Sequence, residues 1–164
     1  MLELARQLAG RGQTAEVLLV DQFNIVSVET LQAFADVGWR ATAVQADVFD
    51  WLAEPPAARS DLVIANLFLH HFLSGRLREL FRLAAERTNV FVACEPRRSA
   101  FALNAARLLG VIGCNAVTRH DAVVSVRAGF AAQELSALWP TSTEWQLVEQ
   151  PAGLFSHCFI ARRS

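Results

Sequence analysis

The chain contains no tyrosine and no lysine, so neither a phenolic acid or base nor a Schiff-base amine is available to it. Its 15 basic residues are all arginine and stand against 16 acidic ones, for a formal charge of -1. The charges are scattered and not blocked, which excludes the electrostatic footprint of a nucleic-acid binder or of a protein held on an anionic membrane. Cysteine is scarce: Cys94, Cys114 and Cys158 lie far apart among apolar neighbours. Such spacing fits neither a zinc site nor a disulfide framework, so all three are expected to be core fillers in a reducing cytoplasm. Charge interrupts every apolar stretch short of a membrane-spanning length, and the opening MLELARQLAGRG lacks the basic start and apolar run of a signal peptide. A soluble, cytosolic protein is expected, with a small molecule as its partner.

What is present is a chain of 164 residues with 53% hydrophobic composition, the size of one domain spanning residues 1–164 with a two-sided core. The alanine content and exclusive use of arginine suggest a GC-rich bacterial gene. Short apolar runs alternate with segments of helical period, the pattern of an α/β fold in which helices cover a mainly parallel sheet. Residues 2–8 predict a helix that stops at Gly10 and Gly12, and residues 16–20 (EVLLV) a buried strand closed by Asp21. A helix over 24–37, a strand over 40–44 and a short helix over 49–52 follow. After Pro55 and Pro56, DLVIA predicts a strand, Leu77, Leu80, Phe81 and Ala84 mark a crossover helix, and NVFVA predicts another strand. Ser99 is placed to cap a helix over 99–111; residues 113–130 have weak periodicity, and a short helix is expected around 131–138. Two final strands, 145–149 and 155–161, are joined closely enough to pair antiparallel.

Ligands of open parallel α/β sheets bind beyond the carboxyl ends of the strands, so the residues that close each strand carry the functional question. Here they are Asp21, Asp47, Asn66 and Glu95. Asp21, followed by Gln22, could accept hydrogen bonds from both hydroxyls of a ribose, or could form a turn or helix cap. Asp47, with Val48, could meet an adenine amino group and ring, or could cap the short helix after it.

In this order VLLVDQ, AVQADVFDWL, DLVIANLFLHHF and NVFVACEPRRS resemble the successive motifs of class I S-adenosylmethionine-dependent methyltransferases, over nearly the whole chain. The resemblance implies a three-layer, Rossmann-like sheet ending in an antiparallel pair, with S-adenosylmethionine as cofactor. It implies that Asp21 holds the ribose, with Gln22 beside it as a further cofactor contact, that Asp47 and Val48 hold the adenine, and that Asn66, Leu67 and Phe68 line the methionine moiety and transferred methyl group. The LHHF element, Leu69 to Phe72, resembles the helix start of small-molecule members. The family's first strand and glycine-rich loop would have to precede Leu2, so the central first strand is expected to be missing from a shortened chain. The pair Gly10 and Gly12 follows a helix and cannot serve as that loop. The missing strand leaves a seam in the sheet, which the chain would have to close by direct pairing or by borrowing a strand.

Methyl transfer from a sulfonium needs alignment, desolvation and, for an acidic nucleophile, removal of a proton. His70 and His71, just beyond the fourth strand of the implied fold, and His120, in the stretch expected to cover the substrate, are the candidate bases; a structural role is open for each. His157 falls inside the last strand. Arg97 and Arg98 could meet an anionic substrate or simply be solvated, and Phe68, Phe72, Phe101 and Phe130 could line an apolar acceptor pocket or be core. The expected activity is methylation of a small organic acceptor, with oxygen slightly favoured as the atom methylated. The rival expectation is a non-catalytic chain that self-associates through its seam and binds no cofactor.

Overall fold

The computed structural model describes residues 1–55, 59–108 and 115–164, in which the chain separates into two compact units, Met1–Glu54 and Pro55–Ser164. Cys114 and the far end of the helix expected over 99–111 lie outside the described residues.

The first unit runs α1 (Leu2–Ala9), β1 (Glu16–Asp21), α2 (Val28–Ala35), β2 (Arg40–Gln45) and α3 (Val48–Ala53). Gly12, at φ 76, ends α1: its amide and that of Gln13 donate to the carbonyls of Ala9 and Leu8. Those amides are thus consumed in closing a helix. β1 and β2 pair in parallel from Glu16 opposite Arg40 to Asp21 opposite Gln45. One face of this ribbon is packed, with Val17 and Leu19 against the buried Ala5, Phe34 and Trp39. Leu18 points the other way and is 54% exposed, so the expectation of a strand buried on both faces is corrected: both long helices of this unit pack on one side. The helix expected over 24–37 is also shorter. The chain turns first, as the Asp21 carboxylate takes the Phe23 amide at 2.8 Å, and α2 starts only after Ser27, whose hydroxyl accepts from the Thr30 amide at 3.2 Å.

The second unit contains β3 (Ser60–Asn66), α4 (Ser74–Arg87), β4 (Thr88–Pro96), α5 (Ala100–Leu108), α6 (Ala116–Ala128), β5 (Trp145–Ala152) and β6 (Ser156–Arg163). Its sheet order is β3-β4-β6-β5, parallel between β3 and β4 and antiparallel in both other pairs. The final hairpin therefore forms as its short connection predicts. β1 and β2 make up one sheet, and β3 ends the other. Pro151 lies in β5, which ends the sheet, where an imino nitrogen facing the open edge leaves no donor wanting.

The core of this unit forms where α4 turns Leu77, Leu80, Phe81 and Ala84 onto the sheet at helical spacing, all at most 2% exposed. The Phe81 ring lies 5.5 Å from Phe91, 5.1 Å from Trp139 and 5.7 Å from Phe159. The weakly periodic stretch after residue 115 is a helix, α6, which starts because the Asn115 side chain accepts from the Thr118 amide at 2.8 Å. Gly129 ends it against β4, where an added Cβ would come within 2.2 Å of the Pro96 carbonyl oxygen. The helix expected over 131–138 shrinks to a 3-10 turn, Ser136–Leu138, because the Leu135 and Ser136 amides donate to the Glu149 carboxylate at 3.1 and 2.7 Å. No helix among the described residues is long and apolar enough to cross a membrane.

Candidate functional site

In the first unit Asp21 closes β1 and Asp47 follows β2. Each spends one carboxylate oxygen on a nearby amide: Asp21 on Phe23 at 2.8 Å, and Asp47 on Phe49 at 2.7 Å, where it caps α3. The turn-forming and capping readings are both realised. An ionised carboxylate has about four acceptor positions, so neither aspartate is saturated by one bond. Asp21 is half-buried and Asp47 exposed; Gln22 is exposed, with its carbonyl accepting from Gln45, and Val48 is half-buried in the first turn of α3. The unit thus presents two carboxylates and an apolar side chain at the carboxyl ends of two parallel strands.

The second unit builds a knot at the carboxyl ends of β3 and β4. Asn66 ends β3 exposed, and Leu67 takes a left-handed conformation, φ 52, with its amide donating to the Cys94 carbonyl at 2.9 Å. The chain then bends over Glu95 of β4, which is fully buried. One carboxylate oxygen accepts from the amides of Phe68 and Leu69, both at 2.8 Å. The other accepts from the His70 amide at 3.4 Å and meets His70 Nδ1 at 2.8 Å. These partners explain how an acid can sit inside a strand: every direction of the carboxylate is met by a donor. The LHH segment consequently winds into a 3-10 turn, Leu69–His71, in place of the helix start that the resemblance implies.

Glu95 also fixes the histidine. A carboxylate only accepts, so Nδ1 must carry a proton, leaving Nε2 with the lone pair of the neutral ring. The His70 side chain is 6% exposed, whereas His71 is exposed with its ring 4.1 Å from that of His70. His120 is exposed on α6, and no hydrogen bond or ring contact among the described residues joins it to His70 or His71. The structure brings the His70 and His71 rings together, and α6, which carries His120, packs against the Leu69–His71 turn. Phe68 and Phe72 meet edge to face at 5.0 Å; Phe130 is buried, and Phe101 is exposed beside Phe155. Arg98 is ion-paired with Glu134 and donates to the Gly129 carbonyl, and Arg97 donates to the Gly153 carbonyl.

A second buried acid and histidine pair was hidden in the sequence. Glu149 holds His157 Nε2 at 2.8 Å while also receiving the Leu135 and Ser136 amides, and His157 Nδ1 is buried with no hydrogen-bond partner among the described residues. Glu95 was visible as a strand-closing acid, but its hold on the following turn was not. The signal for both is a glutamate interrupting an apolar strand, since a buried charge must be met by donors from elsewhere. The cysteines also differ from expectation. Cys94 and Cys158 are half-buried and lie directly opposite each other on β4 and β6, and burial, then the neighbouring Cys94, pushes the Cys158 thiol above its usual range.

No family model and no curated protein matches the sequence. Solved structures do resemble it. A candidate O-methyltransferase of Nostoc punctiforme superposes with a TM-score of 0.57 at 14% identity, over 99% of this chain and 55% of that one. The pyocyanin biosynthetic protein PhzM gives 0.57 at 13% identity, with the same coverages of 99% and 55%. The plantazolicin methyltransferase BpumL, solved with a triazolic desmethylPZN analog and SAH, gives 0.61 at 8% identity, over 99% of this chain and 83% of its own. The chain thus spans about half the length of the first two proteins. At these identities the likeness fixes the fold, which is that of the class I methyltransferases.

Proposed function

We propose that this fold serves S-adenosylmethionine-dependent methyl transfer to a hydroxyl of a small organic acceptor. The observation that carries the reading is the His70–Glu95 pair at the carboxyl ends of two parallel strands, where ligands of such sheets are met. The chemistry of the donor set fits the adenosyl end of the cofactor: Asp21 offers acceptors to ribose hydroxyls, and Asp47 with Val48 offers an acceptor and an apolar wall to adenine. Gln22, Asn66, Leu67 and Phe68 are proposed as its further contacts. When bound, the cofactor supplies an electrophilic methyl group.

His70 takes the proton from the acceptor hydroxyl at Nε2 as that oxygen becomes a nucleophile, and Glu95 stabilises the imidazolium that results. Glu95 acts here as a positioning residue. His71 and His120 have no carboxylate partner among the described residues, so neither has its tautomer set in this way. Aromatic Phe68 and Phe72, flanking the same turn, favour an apolar acceptor.

The test is calorimetric titration of the chain with S-adenosylhomocysteine, which needs no knowledge of the acceptor. Micromolar binding that weakens about 10- to 100-fold in Asp21→Ala is expected, the loss corresponding to charge-assisted hydrogen bonds. Absence of heat from a folded chain would overturn the reading. It would favour the second reading, a chain that self-associates without binding cofactor, for which the exposed Leu18 and Leu62 on the strands that end the two sheets speak.

A further inference from the structure

We propose that Cys94 and Cys158 are a cross-strand dithiol that closes reversibly to an intrachain disulfide. The two residues are Cα partners in the antiparallel ladder between β4 and β6. The hydrogen bonds around them show which kind of partners they are. The Cys94 carbonyl accepts from Leu67 and the Pro96 carbonyl from Phe130, so both turn away from β6, whereas the Arg97 amide donates to Phe155 across the ladder. Backbone direction alternates along a strand, so Arg97 and Glu95 make the bonds to β6, and Cys94 faces Cys158 in a non-hydrogen-bonded pair.

Such pairs bring Cα atoms to about 4.5 Å and side chains closer than at hydrogen-bonded positions. That lies within the range of roughly 4.4–6.8 Å that disulfides span without backbone movement. Paired positions in an antiparallel ladder also point to the same face, so the two sulfurs share one side of the sheet. Both residues are half-buried, which leaves a path for a small reagent. Glu95 and His157 form the next pair in the register and point to the opposite face, so the thiols lie clear of the buried carboxylates.

The oxidant is a small-molecule disulfide. One cysteine thiolate attacks it, releasing one thiolate and leaving a mixed disulfide on the protein. The second cysteine thiolate attacks that protein sulfur, forming the Cys94–Cys158 bond and releasing the other small thiol. Two protein thiols lose two protons and two electrons, and the reagent is reduced to two thiols. Because burial and the neighbouring sulfur keep the Cys158 thiol protonated, closure should quicken as pH rises past the ordinary thiol range.

The experiment incubates the full chain with oxidised glutathione, blocks remaining thiols with iodoacetamide and maps the peptides by mass spectrometry. A linked peptide carrying Cys94 and Cys158 should form, with neither of the two alkylated; dithiothreitol should restore alkylation at both. In Cys94→Ser, Cys158 should instead retain glutathione as a mixed disulfide. Alkylation of both ladder cysteines in the oxidised wild-type chain would overturn the proposal. So would glutathione held stably on either of them, or a link from either to Cys114.

Discussion

Glu95→Ala is expected to destabilise the chain by about 3–5 kcal/mol, because it removes the carboxylate on which a buried turn closes. Three amides and one imidazole lose their acceptor, and Leu69, whose amide is one of them, is fully buried. Thermal unfolding followed by circular dichroism should show the midpoint fall by roughly 10 °C or more. A midpoint within about 2 °C of the parent would mean that the turn closes without the carboxylate. Glu95→Gln separates structure from chemistry. Its amide oxygen can keep the Phe68 and Leu69 bonds, while its amide nitrogen, a donor, faces His70 and forces the imidazole to accept at Nδ1. That variant should fold nearly as well and, on the proposed function, lose methyl transfer by orders of magnitude at unchanged affinity for S-adenosylhomocysteine. A loss of affinity equal to the loss of rate would show that Glu95 serves binding and not the proton.

Phe81→Ala should be as costly, at about 3–5 kcal/mol, for a different reason. Phe81 is completely buried, and its ring touches those of Phe91, Trp139 and Phe159, contributed by β4, the loop before β5, and β6. Truncation leaves a cavity bordered by three rigid rings that cannot collapse into it, and forfeits edge and face contacts worth about 0.5–1.5 kcal/mol each. Chemical denaturation should show a lower midpoint with an unchanged slope. Phe101→Ala is the control: that ring is 57% exposed and lies beside Phe155, so its loss should stay near or below about 1 kcal/mol.

The sequence resolved what rests on local pattern. β1 to β4 appear where short apolar runs predict them, α4 presents Leu77, Leu80, Phe81 and Ala84 inward, and the final hairpin is antiparallel. What misled was whatever one side chain does to a distant backbone. Residues 131–138 have helical composition, but Glu149 takes the amides of Leu135 and Ser136 and holds the segment to a short turn. Leu69 to Phe72 read as a helix start for the same reason, with Glu95 as the intruding acceptor. Leu18 is exposed despite its apolar neighbours because an apolar strand does not record whether its second face is covered. The candidate site was legible as residue types at strand ends; the tautomer of His70 was not, since it depends on an acid 25 residues away. The pairing of Cys94 with Cys158 depends on a register that only long-range ladder geometry supplies.

The Glu95 knot also has a consequence for amide hydrogen exchange. Phe68, Leu69 and His70 lie in a connecting segment where exchange with solvent deuterium is ordinarily fast. Here their amide hydrogens terminate on a fully buried carboxylate carried by β4, so local wagging of the segment does not release them. Their protection should follow that of the β4 strand itself, and a loop this short would then exchange on the timescale of the sheet to which it is tied.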